Sequence, residues 1–217
     1  MRGVFVTGTG TEVGKTVLAA AIARSVAATG ARVAVFKPAV SGLDQDGEPD
    51  HALLRRAAGS TQSDDEVAPY RFGPPVSPHL AAELVGDPID PEHVVASAHA
   101  AADRADFLVC EGVGGLLVPL TLGYLVRDFA RELGLPVVIA AAPGLGTINH
   151  TLLTIEAARA VGLEAKLVVL TPWPDDPSAV ERSNRNAIEQ LGEVPTAVLQ
   201  RLDLGATDSW PTLLPVG

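Results

Sequence analysis

Cysteine is nearly missing from this chain: Cys110 is the single one in 217 residues. That excludes an intrachain disulfide and an all-cysteine metal site, and it suits a reducing cytosol. Aromatic residues are scarce at 4%, so alanine, valine and leucine must fill the core. Basic residues are outnumbered, 16 Lys and Arg against 26 Asp and Glu, for a formal net charge of −10. A general nucleic-acid surface needs a basic field, which this balance does not supply. Long apolar runs are missing too. The longest, Leu135 to Ala142, is interrupted by Pro136 and followed by Pro143, so no membrane span is expected. The opening Met1-Arg2-Gly3 leads into an apolar run ended by Thr7-Gly8, which reads as too short for a signal peptide. A cytoplasmic protein with neither nucleic acid nor membrane as partner is the expectation.

What is present is a globular composition, 47% hydrophobic and 19% charged, with enough chain for one domain spanning 1–217. Short β-branched runs alternate with alanine-rich stretches at helical period. That pattern predicts an α/β fold, a parallel sheet with helices on both faces. Strands are expected at Val4–Thr7, Val33–Phe36, Phe107–Cys110, Val137–Ala141 and Leu167–Leu170, with a sixth candidate at Thr196–Leu199. Each is apolar on consecutive residues, as strands buried on both faces are. Helices are expected at Lys15–Ala28, His51–Ala58, His79–Leu84, Pro91–Ala105, Val126–Leu133, Asn149–Ala160 and Ser178–Leu191. Two turn-rich regions, Gly42 to Pro49 and Tyr70 to Pro78, are candidates for binding loops. In open parallel sheets the site lies beyond the carboxyl ends of the strands, where Thr7, Lys37, Glu111, Ala142 and Thr171 are expected.

The first motif is "VTGTGTEVGKT", residues 6–16. A buried strand runs into a glycine-bearing loop, and Lys15-Thr16 opens a helix. Backbone N–H groups of such a loop converge on phosphate oxygens, and the helix N-terminus adds its positive end. Lys15 would reach the β- and γ-phosphates and the Thr16 hydroxyl would bind Mg²⁺. The usual phosphate-loop pattern needs glycine at position 9, where Thr9 stands, so the loop is one residue longer. A dinucleotide loop fits worse, because Val13 occupies a glycine position and Lys-Thr would have no use. Next, Lys37 ends the second strand in "VFKPAVSG" (35–42), where its charge could meet a transferred phosphoryl group. Ser41 could hydrogen-bond a substrate. "DFLVCEGVGG" (106–115) ends a strand in Glu111, an acid placed to complete Mg²⁺ coordination opposite Thr16. The glycines at 112, 114 and 115 would let the backbone pass close to a ligand. A second carboxylate should come from Asp44, Asp46, Glu48 or Asp50, and spacing does not choose among them. Asp50 stands before a helix, where it could also be an N-cap. "PGLGTINHTLLT" (143–154) offers helix N-terminal N–H groups to a carboxylate, with Asn149 or Thr147 as the alternative cap. His51 and His150, both beside helix starts, read as structural.

Together "VTGTGTEVGKT", "KPAVSG", "SPHLAA" (77–82), "EGVGG" and "LGTINH" resemble the dethiobiotin synthetase family, in order and spacing, across roughly residues 3–170. That family carries the long loop, the phosphate-loop NTPase-like fold and a ligase activity of biotin biosynthesis. The resemblance implies a homodimer with its substrate site at the interface. The substrates would be 7,8-diaminopelargonic acid, CO₂ or bicarbonate, and ATP or another nucleoside triphosphate with Mg²⁺. One amine takes up CO₂ as a carbamate, which attacks the γ-phosphate, and the neighbouring amine closes the resulting anhydride to a cyclic urea. Residue by residue, the resemblance assigns Thr16, Asp50 and Glu111 to the metal, and Lys15, Lys37 and Thr11 to catalysis. Glu12, Val13, Gly14, Lys15, Thr16 and Val17 match the nucleotide-binding loop, with Glu111, Gly112, Val113, Gly114 and Thr171 also at the nucleotide. Thr11 and Ser41 match groups near the diamine and its carbamate. Gly146, Thr147, Ile148 and Asn149 match the segment holding the substrate carboxylate across the interface.

The chain departs from the family at the nucleobase. Many members have an Asn-Asp pair where Thr171-Pro172-Trp173 stands, and "QRLD" (200–203) replaces a later segment flanking the base. The preferred nucleotide and the role of the tail after Gly205 therefore stay open. Two other readings fit the motifs less well. A partition or positioning switch ATPase carries a lysine early in the loop, and none stands between Gly8 and Gly14. A cobyrinic acid-type amidotransferase needs a further glutaminase domain with its nucleophilic cysteine, and Cys110 is the single cysteine here.

Overall fold

A computed structural model describes residues 1–214. In chain order it contains β1 (Gly3–Gly8), α1 (Lys15–Ala27), β2 (Val33–Phe36), β3 (Ala39–Val40), α2 (Asp50–Ala58), α3 (Asp64–Val67) and β4 (Tyr70–Arg71). Next come α4 (Pro78–Val85), α5 (Pro91–Asp103), β5 (Phe107–Gly115), β6 (Pro119–Thr121), β7 (Tyr124–Leu125) and α6 (Val126–Leu133). The chain continues through β8 (Val137–Ala141), α7 (Thr147–Arg159), β9 (Ala165–Trp173), α8 (Ala179–Gly192) and β10 (Thr196–Gln200). Six strands form one parallel sheet in the order β10-β9-β8-β1-β5-β2.

The sheet is buried on both faces because its strands alternate sides with a period of two. In β1, Phe5 points into a cluster with Phe36, Phe129, Leu108 and Ile139. Val4 and Val6 point the other way, onto Leu18, Ile22 and Leu54 of α1 and α2. Leu18 through Ala23 of α1 are all buried, since α2 covers the side that the sheet does not. The tail lies on this same face. Trp210 is buried there and donates its Nε1–H to the Asp203 carbonyl, while the Leu213 amide donates to Ser25 Oγ. A Cβ on Gly3 would stand 2.2 Å from the Leu108 carbonyl oxygen, so only glycine permits this approach of β1 to β5.

The six expected strands all form, and two of them run at least three residues past their expected ends. β5 continues from Cys110 to Gly115 and β9 from Leu170 to Trp173. Glu111 and Thr171 are therefore inside strands rather than at their ends. The ladder to β1 breaks register after Val6–Glu111 and resumes at Gly8–Gly115, which carries β5 past its apolar run. The β3–β4 pair, the β6–β7 hairpin and α3 were not expected. α3 does have a sequence sign, the Ser63/Glu66 capping box.

Candidate active site

The loop after β1 closes over Gly8. A Cβ there would meet Val13 Cγ2 at 2.6 Å and Lys15 Cγ at 2.8 Å. Gly14 takes the left-handed conformation, φ 82°, as the residue before α1. Glu12 takes it as well, at φ 60°, which is costly for a residue with a side chain. A Cβ on Gly14 would touch Thr171 Cγ2 at 3.0 Å, so β9 presents Thr171 to the loop. Lys15 arches back and donates from Nζ to the Gly10 carbonyl at 2.7 Å.

Three elements meet below this loop. Thr16 Oγ1 donates to Glu111 Oε1 at 2.8 Å, and Lys37 Nζ donates to the same oxygen at 2.8 Å. Lys37 Nζ also donates to Asp50 Oδ2 at 2.5 Å. The result is one polar chain, Asp50–Lys37–Glu111–Thr16, with Lys37 and Glu111 both buried. Glu111 Oε2 is buried and has no hydrogen-bond partner among the described residues, and neither has Thr7 Oγ1.

Burial pushes the Glu111 carboxyl above its usual range, and the Lys37 ammonium pulls against that. Burial also pushes Lys37 down, but the Glu111 and Asp50 carboxylates together outweigh it and hold the ammonium above its ordinary value. The two directions compete in one pair. Lys37 keeps its charge, because two carboxylates share it. Asp50 is raised by its own burial and more than compensated by Lys37, so it is held low. Lys15 is lowered, foremost by burial, against the pull of Glu111.

Of the loop acids, Asp50 alone joins this chain. Asp44, Asp46 and Glu48 are exposed, and Glu48 pairs with Arg56 at 2.7 Å. Asp50 is not a cap, because it is the first residue of α2 and Pro49 precedes it as the N-cap. The glycines after Glu111 are tightly packed within the protein. A Cβ on Gly112 would press on Val126 and Phe5, and one on Gly114 on Val118. Val113 is half-buried between them. Thr11 is exposed at the loop crest, Val17 half-buried in the first turn of α1, and Ser41 half-buried after β3.

The Gly146–Asn149 segment is not tied to this cluster by any hydrogen bond among the described residues. Gly146, φ 91°, caps α7, so neither Asn149 nor Thr147 is the cap. Thr147 is buried with its Oγ1 3.4 Å from Thr151 Oγ1, Ile148 is half-buried, and Asn149 and His150 are exposed. His51 is buried, its Nε2 3.9 Å from Asp64 Oδ1, and burial holds its pKa down. Sequence reasoning missed Asn184, whose Nδ2 donates to the Pro143 and Gly144 carbonyls and so holds the turn before α7. Its sign was available: a buried polar residue on the inward stripe of α8, one turn before Ile188.

A family model described as an AAA domain matches residues 2–202. The chain is 37% identical over 196 residues to the ATP-dependent dethiobiotin synthetase BioD of Bacillus subtilis strain 168, covering 90% of this chain and 85% of that protein. It is 47% identical over 181 residues to the protein of that name from Anaeromyxobacter dehalogenans strain 2CP-1, covering 82% and 81%. For that of Rhodococcus erythropolis strain PR4 the figures are 43% over 193 residues, 88% and 84%. Among solved structures, a ParA family ATPase from Chlorobium tepidum TLS superposes with a TM-score of 0.56 at 15% identity, covering 95% of this chain and 87% of that one. That likeness concerns the fold alone.

Proposed function

The chain belongs to the dethiobiotin synthetase family of ATP-dependent cyclo-ligases, and on that premise we propose how its own residues carry the reaction. The observation that supports the assignment is the hydrogen-bonded chain Asp50–Lys37–Glu111–Thr16, buried at Lys37 and Glu111, set beneath a phosphate loop. The loop from Glu12 to Val17 and the N-terminus of α1 hold the triphosphate, with Lys15 turning from the Gly10 carbonyl to the β- and γ-phosphates. Gly112, Val113, Gly114 and Thr171 flank the nucleotide.

Mg²⁺ fits the donors present. Glu111 keeps a buried oxygen without a partner, and Thr16 and Asp50 add hard oxygens, leaving positions for water and phosphate. Thr16, Asp50 and Glu111 would hold the ion, which when bound would offset phosphate charge.

The diamine lies between Thr11, Ser41 and Lys37, its carboxylate on the N–H groups of Gly146–Asn149 from a second copy. One amine adds CO₂ and loses a proton, giving a carbamate. Lys37 and Lys15 bring this anion to the γ-phosphate, where two like charges would otherwise repel. A carbamate oxygen attacks phosphorus and the bond to the nucleoside diphosphate breaks. The second amine then attacks the carbamoyl carbon, the urea ring closes, and inorganic phosphate leaves with the transferred oxygen. The chain acts as a single unit, as a homodimer in the cytoplasm. Among the described residues no helix is long and apolar enough to cross a membrane.

Phosphate release with bicarbonate and Mg²⁺, with and without 7,8-diaminopelargonic acid, tests this across ATP, CTP, GTP and UTP. Diamine-dependent release with dethiobiotin formed is expected, and the nucleotide profile reports on the pocket beside Thr171 and Trp173. Release indifferent to the diamine would overturn the assignment.

A further inference from the structure

A cleft of about 1110 Å³ lies beside the outer edge of β2, away from the phosphate loop. Its walls include the β2 residues Val33 and Ala34, the Gly59–Gln62 turn, Ser97 of α5 and Arg104 just after that helix. Nothing in the reaction above uses it.

The backbone inside the cleft is specific. β2 is the last strand of the sheet. The Arg32 carbonyl accepts from the β5-side amides of Asp106 and Phe107, so even-numbered residues of β2 face β5. Val33 and Val35 therefore turn their N–H and C=O groups outward, since a strand alternates these directions. At Val35 both are taken by one carboxamide. Gln62 Oε1 accepts from the Val35 amide at 2.9 Å, and Gln62 Nε2 donates to the Val35 carbonyl at 3.0 Å. Val33, one outward step earlier, presents the same pair to the cleft, and no partner for either group is found among the described residues. Gln62 shows what fits there: an N–H and a C=O side by side on one planar group.

A cyclic urea has that edge, because its ring holds each N–H on the same side as the carbonyl. Arg32 and Arg104 line the cleft, beside Asp65 and Glu66. Arg32 spends Nε and Nη2 on Asp106, and Arg104 spends Nη1 on Glu66, so each guanidinium keeps donors free. We propose that this cleft is a second binding site, for a small cyclic urea bearing a carboxylate, with the urea on Val33 and the carboxylate at Arg104. The choice of dethiobiotin as its ligand rests on the family reading, since that product is such a molecule.

Calorimetric titration decides it. The enzyme is first saturated with Mg²⁺, a non-hydrolysable ATP analogue and the diamine, then titrated with dethiobiotin, with 2-imidazolidone (the ring alone) and with hexanoate (the tail alone). Dethiobiotin is expected to bind the filled enzyme. Ser97→Trp fills the cleft and should weaken dethiobiotin and 2-imidazolidone by about tenfold or more. Arg104→Gln, at a side chain 74% exposed, should weaken dethiobiotin by about tenfold and leave 2-imidazolidone unchanged. Both variants should keep diamine-dependent phosphate release. No binding to the filled enzyme, or binding indifferent to both substitutions, overturns the site. A preparation without diamine-dependent release fails the family reading instead, and 2-imidazolidone binding lost in Ser97→Trp would still uphold the urea pocket.

Discussion

At the scale of single residues, the site concentrates its cost on one buried pair. Lys37 and Glu111 are 3% and 0% exposed, so removing either partner strands the other in a poor solvent for charge. Lys37→Met should destabilise the fold by about 3–5 kcal/mol in urea titration. Adding Glu111→Gln should recover part of that loss without restoring turnover, because the second change removes the stranded charge but not the need for the lysine. A different residue tests the loop. Gly8→Ala puts a methyl against Val13 and Lys15, which forces the loop outward while β1 keeps its ladder. The expected result is a fall of about 10²-fold in kcat/KM, with the melting temperature little changed. Metal binding has its own readout. With nucleotide present, Mg²⁺ should raise the melting temperature of the native enzyme and fail to do so in Glu111→Gln.

At the scale of elements, the edge of β2 depends on a side chain. Gln62→Ala would leave the Val35 N–H and C=O unpaired at a residue with no exposed surface, costing about 1–3 kcal/mol. Urea denaturation measures that loss. The start of the same strand is pinned by Asp106, which accepts from the Arg32 amide and guanidinium. The guanidinium holds the Asp106 carboxyl down from 3.8 to about 2. A depressed folded pKa stabilises above the unfolded value and ceases to as pH falls through the folded one. The melting gap between native protein and Asp106→Asn should therefore be present at neutral pH and close between pH 3.8 and about 2. These edge contacts also show where sequence reading stops. The core strands were legible because their apolar runs are continuous. So was the phosphate loop, whose chemistry depends on neighbours along the chain. Asp50, by contrast, was one of four loop acids until the resemblance singled it out, because its partner Lys37 lies across a loop that spacing does not describe. Gln62 was invisible for a related reason: it satisfies backbone groups of Val35, distant in sequence, whereas Asn184 showed as a polar residue on an inward helical stripe but its partners did not.

At the scale of the whole molecule, the question is what completes the substrate site. The segment Gly146–Asn149 opens α7 without a side-chain cap, yet among the described residues no hydrogen bond ties it to the Lys37 cluster of its own chain. Just before it, Leu145 is 97% exposed, and Leu153 on the same helix is 55% exposed. Single exposed leucines are ordinary on a monomer, so exposure by itself decides nothing. Leu145 gains weight from the proposed dimer, in which the Gly146 segment of one copy serves the lysines of the other, because Leu145 stands immediately before that segment. Burying two such leucines would also contribute apolar area at the centre of the contact, where binding energy concentrates. The protein should therefore sediment as a dimer at micromolar concentration. Leu145→Glu should shift it toward monomer and raise the KM for the diamine, while leaving the affinity for Mg²⁺-nucleotide unchanged, because the loop that binds phosphate lies within one chain. A variant that remains dimeric with an unchanged KM would place the interface elsewhere. The Gly146 segment would then have to reach its ligand within a single protomer.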